Sequence, residues 1–252
     1  MDALPRLAEI AAIFALAGGI KGMIGLGLPT VAIGLLGLFM SPAEAAAILV
    51  LPTLVTNIWQ AAAGRGFFIL LRRLWPMFIG IFVGTWAGTV LFGNMTGAWG
   101  TIALGVALVV YAVLGLSKVQ FSVPPRNEFW LGPLIGVANG VVALATGVFS
   151  LPALPYLNAL HFNRNDLVQA LGMLFTVSTI ALASALVHNG ILHYSAAGLS
   201  VLGLAAALVG MVLGQLVRGR VKPETFRLFF FIGLLLLGVH LALHGLLLHG
   251  LL

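Results

Sequence analysis

The chain has 252 residues, of which 61% are hydrophobic and 7% are charged, and its net charge is +6. Soluble domains carry about 25% charged residues, so this composition excludes an ordinary water-soluble fold and predicts an all-α polytopic membrane protein. The lack of cysteine excludes disulfides and thiolate metal sites. The positive charge is typical of the cytoplasmic loops of membrane proteins. We therefore expect the protein to contact membrane lipid and to bind no nucleic acid.

Glycine, proline and charged residues divide the chain into ten apolar segments. The second and the seventh are too short to cross a bilayer, which takes ~20 apolar residues. Each of them follows its predecessor after only a few glycine-rich residues. In chain order the predicted segments are 5–22, 27–40, 43–63, 70–93, 97–117, 129–145, 148–160, 165–187, 194–217 and 223–248.

The basic residues distinguish two topologies for the short segments. If each short segment continues its predecessor as one broken helix, eight crossings result and the loop charges divide five against four. If each pair is a hairpin, one side of the membrane receives only Arg6. The other side receives Arg65, Arg72, Arg73, Lys118, Arg126, Arg164, Arg218, Arg220 and Lys222. The positive-inside rule therefore favours ten segments, with both termini outside the cytoplasm of a bacterial inner membrane.

A shift of the chain by 122 residues aligns its two halves without a gap. Gly18 then falls on Gly140, and Glu44 falls on Asp166. The landmarks that coincide further along are Gly25 with Gly147, Thr56-Asn57 with Ser178-Thr179, Gly88 with Gly210 and Gly97 with Gly219. Five segments per repeat is an odd number, so the repeats must be inverted, as in many secondary transporters. The predicted organisation is a first repeat over 1–117, a linker over 118–128 and a second repeat over 129–252.

Glycine-rich breaks and mid-helix polar residues are the candidate binding groups. Backbone N–H groups at a helix start inside the membrane attract anions, although glycine also serves close helix packing. Polar side chains in hydrocarbon need partners, so they predict either a site or interhelical hydrogen bonds. The candidates are Gly22, Gly25, Gly27, Thr56, Asn57, Gln60, Gly147, Ser150, Ser178 and Thr179.

Other polar residues have simpler interpretations. Ser41 to Glu44 is a capping box with proline at the first helical position, and Asn163 with Asp166 predicts a similar cap. Lys21 is expected to snorkel to the cytoplasmic interface; the alternative is that it attracts an anion. Glycines in segments 4 and 9, including Gly84, predict close-packing faces that could also serve a homodimer. No metal site, cofactor or enzymatic signature is predicted.

The hairpin and the helix after it resemble the TauE/SafE family of membrane transporters. The similarity is carried by AGGIKGMIGLGLPTVAIGLLGLFMSPAEAAAILVLPTLVTNIWQ and by GVANGVVALATGVFSLPALPYLNALHFNRNDLVQALGMLFTVST. It covers about residues 10–248. The resemblance implies a carrier of sulfite or a small organosulfonate anion.

The expected function is therefore export of sulfite or an organosulfonate by alternating access. The alternatives are a carrier for another small anion or solute, or a non-transporting membrane subunit. Few acidic residues lie in the middle of a segment, which argues against a cation as substrate. Short loops argue against a docking subunit.

Overall fold

The computed structural model describes residues 3–92, 98–117, 121–191, 195–218 and 223–248, and these residues form ten α-helices. In chain order they are α1 Ala3–Ile24, α2 Leu28–Leu36, α3 Pro42–Ala62, α4 Phe67–Phe92, α5 Ala98–Leu116, α6 Pro125–Thr146, α7 Ala153–Ala159, α8 Arg164–His188, α9 Ser195–Val217 and α10 Pro223–Leu248. The predicted all-helical class and the ten segments are confirmed. Helix α6 begins inside the predicted linker, because Pro125 supplies a backbone angle suited to the first helical position.

Eight of these helices are long and apolar enough to cross a membrane. The other two are α2, with nine residues, and α7, with seven. At 1.5 Å per residue they extend only about 14 and 10 Å, well short of the ~30 Å hydrocarbon core. The protein is therefore a multi-pass membrane protein in which two short helices lie among eight candidate spans.

Side-chain caps fix the starts of α3 and α8. The Ser41 hydroxyl accepts from the Glu44 N–H at 3.3 Å, and the Glu44 carboxylate accepts from the Ser41 N–H at 3.1 Å. The Asn163 side chain accepts from the Asp166 N–H at 2.9 Å. Both predicted caps are confirmed, so Glu44 and Asp166 are committed to local hydrogen bonds at helix ends.

The first short helix turns back on α1. Gly25 and Gly27 have φ of 80° and 104°, in the left-handed region that glycine adopts without steric cost. A Cβ at Gly27 would lie 3.1 Å from the Ile20 side chain, seven residues earlier. Because residues seven apart in a straight helix are about 10 Å apart, this proximity means that the chain reverses direction between α1 and α2.

The second short helix also reverses direction. Helix α6 ends at Gly147, whose φ is 69°. The far end of α7 then lies beside the start of α6, since the Val123 N–H donates to the Ala159 carbonyl at 3.1 Å. The Tyr156 hydroxyl also donates to the Glu128 carbonyl, at 3.4 Å. In each predicted hairpin the short helix therefore folds back along the long helix that precedes it.

Long-helix pairs build the body of the protein: α1 packs on α9, α4 on α6, α5 on α10 and α3 on α8. A Cβ at Gly18 would overlap the Ala207 carbonyl oxygen, and one at Gly84 would overlap that of Val137. Glycine is thus required for the backbones to approach this closely, as predicted for segments 4 and 9. These faces are occupied within the chain, so a homodimer would have to use another surface.

Several landmarks of the sequence lie outside the described residues. They are Gly93, Gly97, Lys118, Gly219, Arg220 and Lys222.

Candidate substrate site

Lys21 lies near the end of α1 and is buried inside the protein. Its side chain is 3% exposed, and its ammonium donates to the Thr56 hydroxyl at 3.1 Å and to the Asn57 side-chain oxygen. The expectation that it snorkels to the interface was wrong, because α3 offers two oxygen acceptors within reach of α1. Among the described residues the one ion pair joins Arg73 and Glu128, so the Lys21 ammonium has only neutral partners.

Asn57 completes this cluster in the last third of α3. It is 0% exposed, and its side-chain nitrogen has no hydrogen-bond partner among the described residues. The Thr56 hydroxyl donates to the Pro52 carbonyl at 2.8 Å, which leaves its oxygen free to accept from Lys21. The cluster therefore presents a buried lysine amine and an unpaired amide N–H donor close together.

The second half places polar groups at the corresponding position of α8. Ser178 and Thr179 are buried, and the Asn139 amide on α6 lies 3.4 Å from the Ser178 hydroxyl. With its nitrogen turned toward the carbonyls of Phe149 and Leu151, at 2.9 Å each, the Asn139 oxygen faces Ser178. Each half thus joins its first long helix to its third helix through one buried polar side chain. That side chain is a lysine in the first half and an asparagine in the second.

The two hairpins meet each other. The hydroxyls of Thr30, on α2, and Ser150, on the α6–α7 connection, lie 3.4 Å apart. Ile33 of α2 packs against Gly147 so closely that a Cβ there would overlap it. The structure therefore brings Gly147 and Ser150 of the second break to α2 of the first hairpin.

A buried cavity of about 10 Å³ lies beside this junction, between α2, α3, α8 and the second break. This is about the smallest space that holds one water molecule. Thr53 and Thr179 line it, and the Thr53 hydroxyl has no hydrogen-bond partner among the described residues. The junction of the two halves is consequently tightly packed and carries an unused polar group.

Other predicted site residues have structural partners. Gln60 donates to the carbonyls of Gly25, at 3.0 Å, and Val168, at 2.8 Å. It therefore ties the first break and α8 to α3, and both of its donor hydrogens have acceptors. Gly22 lies inside α1, where a Cβ would overlap the Met211 carbonyl oxygen of α9. Of the three first-hairpin glycines, only Gly25 and Gly27 lie at the break.

A much larger cavity, of about 1450 Å³, opens among the ends of α1, α5 and α9 and the starts of α8 and α10. We call it the basic vestibule because Arg164, Arg218 and Arg227 line it against one acidic side chain, Glu224. Its walls include Ile24 and Leu26, which flank Gly25 in the first break. The vestibule therefore connects a positively charged end of the molecule with the first hairpin.

Four of the buried residues with polar groups that sequence reasoning left out of the candidate site lie beside the clusters described above or in the wall of the vestibule: Thr30, Thr53, Tyr111 and Asn139. Thr53 and Thr56 are three residues apart on α3, a spacing that places them on one helix face. Tyr111 is one of only three tyrosines in the chain, and it lies inside an apolar segment. Thr30 gave no signal, because a threonine in the first turn of a helix is ordinary.

The described residues contain no group of three or more His, Asp or Glu side chains that could hold a metal ion. The His240 and His244 rings stack on α10 with their centroids 6.1 Å apart, but no third His, Asp or Glu of the described residues joins them in such a group.

Comparison with known proteins gives one match. The sequence model described as Sulfite exporter TauE/SafE matches residues 10–241. No curated protein and no solved structure matches the chain. The matched stretch includes all of α2 to α9 and most of α1 and α10, and with them both hairpins and the Lys21 cluster. The chain therefore belongs to the TauE/SafE sulfite exporter family, a family of membrane transporters and not of enzymes.

Proposed function

We propose that this protein is a secondary carrier that exports sulfite or a small organosulfonate anion, and that Lys21 and Asn57 bind the anion. The observation that carries the proposal is the buried Lys21 amine, whose partners within the described part of the chain are neutral oxygens. An unpaired charge in a low-dielectric site costs several kcal/mol. A bound anion would supply the missing countercharge.

The surrounding donors suit an oxyanion. The Asn57 side-chain N–H has no acceptor in the described part of the chain, and hydrogen bonds from charged groups are about twice as strong as those between neutral groups. One cation with a few neutral donors binds an anion firmly enough to select it, yet it avoids the several-charge cage that would retain it. We expect Thr56, Ser178, Thr179 and the backbone of the Gly25–Gly27 and Gly147–Ser150 breaks to contribute further contacts.

The inverted repeat is part of the proposal, and the packing supports it. Exchanging α1 with α6, α2 with α7, α3 with α8, α4 with α9 and α5 with α10 leaves the main helix pairs unchanged. The α1–α9 pair becomes α6–α4, whereas α3–α8 and α5–α10 map onto themselves. This invariance is expected of two repeats related by a pseudo-two-fold axis.

Close contacts follow the same exchange. Gly18 packs on Ala207, and its counterpart Gly140 packs on Thr85, the counterpart of Ala207. Gly210 packs on Gly19, and its counterpart Gly88 packs on Val141, the counterpart of Gly19. Residues that align at an offset of 122 therefore also have packing partners that align at this offset. This supports a true repeat over a chance similarity of sequence.

Alternating access would then move one unit of the protein against another around the hairpin junction. The basic vestibule would admit anions from the cytoplasmic side, since the positive-inside rule places its arginines there. Walls of low dielectric constant focus the field of these charges and raise the local anion concentration. This arrangement suits export.

Flux in proteoliposomes tests the proposal. Purified protein should transport labelled sulfite or an organosulfonate, with and without an imposed pH gradient. Lys21→Gln should lower the flux at least tenfold, because a charge-assisted interaction of about 1.5–3 kcal/mol is lost. Arg65→Gln removes one exposed charge as a matched control and should keep near wild-type flux.

Each other outcome has a defined meaning. Flux of a cation or neutral solute in place of anions would favour a different carrier. No flux of any solute by folded wild-type protein would favour a non-transporting subunit. Wild-type flux in Lys21→Gln would place the anion site elsewhere.

A further inference from the structure

The basic vestibule ends at a tyrosine that the Lys21 cluster does not include. Tyr111 of α5 lines the vestibule, is 2% exposed, and its hydroxyl has no hydrogen-bond partner among the described residues. Leaving a buried hydroxyl unpaired costs about 1–3 kcal/mol. Such a cost in the wall of a cavity that also carries three arginines is expected where a ligand supplies the partner.

The Tyr111 ring is held in place by packing. It makes an edge contact with Phe231 of α10, with ring centroids 5.3 Å apart. The Arg227 guanidinium lies 5.8 Å from the centroid of the same Phe231 ring and donates to the Gly115 carbonyl at 2.9 Å. The hydroxyl is therefore fixed in direction, with a vestibule arginine on the neighbouring turn of α10.

Two further hydroxyls converge on the same place. The Tyr111 hydroxyl approaches Ser150 without reaching hydrogen-bond geometry. Ser150 and Thr30, both almost fully buried, are 3.4 Å apart. This is well beyond the 2.7–2.8 Å typical of hydroxyl pairs. The weakly engaged hydroxyls of Thr30 and Ser150 thus lie where the two hairpins meet, with the Tyr111 hydroxyl beside Ser150.

The start of α2 adds backbone donors. Thr30 lies in its first turn, Gly27 precedes it in a left-handed conformation, and no side chain caps the first turn. The first N–H groups of a helix lack internal acceptors and carry partial positive charge. A group of hydroxyl and amide donors without a carboxylate favours an anion with several acceptor oxygens.

We propose that Thr30, Tyr111 and Ser150 form a second oxyanion site between the hairpin junction and the Tyr111 wall of the basic vestibule, which holds the sulfite or sulfonate group on the cytoplasmic side of the junction. This inference deepens the proposed function and rests on it for the identity of the anion. The site contains no cationic side chain, so it binds more weakly than the Lys21 cluster. It acts as a station between the vestibule and the carrier site.

Sulfite-dependent thermal stabilisation of the purified protein in nanodiscs tests the site. A ligand stabilises the folded state according to its concentration and its Kd, so a midpoint can be read from a titration with sodium sulfite. In a Lys21→Gln background, a weak saturable stabilisation should remain. Adding Tyr111→Phe should raise the midpoint concentration about tenfold, because the hydroxyl donor is lost while the ring contact with Phe231 is kept.

Tyr156→Phe is the matched control. Its hydroxyl bonds to the Glu128 carbonyl on α6, so its midpoint should stay within twofold of the parent. Methanesulfonate and phosphate in parallel titrations show which oxyanions the site accepts, and chloride at equal ionic strength corrects for salt effects.

Two results would overturn this site: no saturable stabilisation in Lys21→Gln, or an unchanged midpoint after Tyr111→Phe. Tyr111→Phe without added sulfite should melt at or above the parental temperature, since an unpaired buried hydroxyl is removed. A drop there would mean that the hydroxyl serves structure instead. Failure of the transport proposal is read separately, as absent wild-type flux in liposomes.

Discussion

At the scale of single residues, two buried polar residues on different helices define the chemistry. Lys21 and Asn57 are separated by 36 positions in the chain, yet α1 and α3 bring the ammonium onto the amide oxygen. Neither residue would be stable alone in hydrocarbon, because a bare ammonium and an unpaired amide are both costly there. A protonated Lys21 in this pair has no countercharge among the described residues, and this is the feature that we assign to the substrate.

Asn57→Asp tests that assignment directly. The aspartate carboxylate would sit against Lys21 and supply the countercharge itself, so we expect anion flux to fall at least tenfold while the folded protein persists. Asn57→Ala should reduce flux less severely, because the cation remains available. Flux of labelled sulfite in proteoliposomes and elution in gel filtration are the measurements.

Asn127→Asp serves as the control for an added carboxylate. Asn127 lies in the first turn of α6, where a negative charge is favoured by the helix dipole. Its flux should match that of the wild type. Full flux in Asn57→Asp would show that the Lys21 charge is not used by the substrate.

At the scale of the helices, glycine positions determine which backbones approach each other. The α1–α9 and α4–α6 pairs touch through carbonyl oxygens that leave no room for a Cβ at Gly18 or Gly140. In contrast, Gly233 on α10 has nothing within 4 Å. The two crowded glycines are counterparts under the proposed repeat and should respond alike.

Gly18→Ala and Gly140→Ala should each destabilise the protein by about 1–3 kcal/mol, the usual cost of overpacking. Gly233→Ala should be neutral or should stabilise by up to ~1 kcal/mol, because alanine is the better helix former. Thermal melts in one detergent compare the three variants. Equal stability of all three would contradict the close backbone approach.

At the scale of the whole molecule, orientation in the membrane remains a prediction. The vestibule arginines Arg164, Arg218 and Arg227 share one end of the molecule, and the positive-inside rule places that end in the cytoplasm. Both chain termini would then lie on the opposite side, together with the turn after α2.

The chain contains no cysteine, so single introduced cysteines report sidedness without background. We expect Leu4→Cys and Leu38→Cys to react with a membrane-impermeant maleimide on intact spheroplasts, since both positions are exposed. Arg65→Cys should react only after permeabilisation. A hairpin places Leu4 and Leu38 on the same side, whereas one broken helix would place them on opposite sides.

An active alkaline phosphatase fused after Leu252 would give the same answer for the C-terminus. A cytoplasmic C-terminus would refute the predicted orientation.

The sequence by itself determined the class, the helices and the family. Apolar length, glycine breaks and capping residues such as Ser41 act over a few neighbouring positions, so they can be read directly from the chain. Ten segments, both hairpin breaks and the caps of α3 and α8 agree with the structure for this reason. The candidate list also contained Thr56, Asn57, Ser150 and Ser178, because polar residues are rare in such an apolar chain.

Only the tertiary structure decided which polar groups meet. It turned Lys21 inward to Asn57, gave Gln60 two backbone acceptors and placed Tyr111 beside the second break. These contacts join residues from different helices, and they depend on the rotation and crossing of helices that pack through glycine. Local patterns carry no record of that geometry, since a buried lysine and a snorkelling lysine have the same neighbours in sequence.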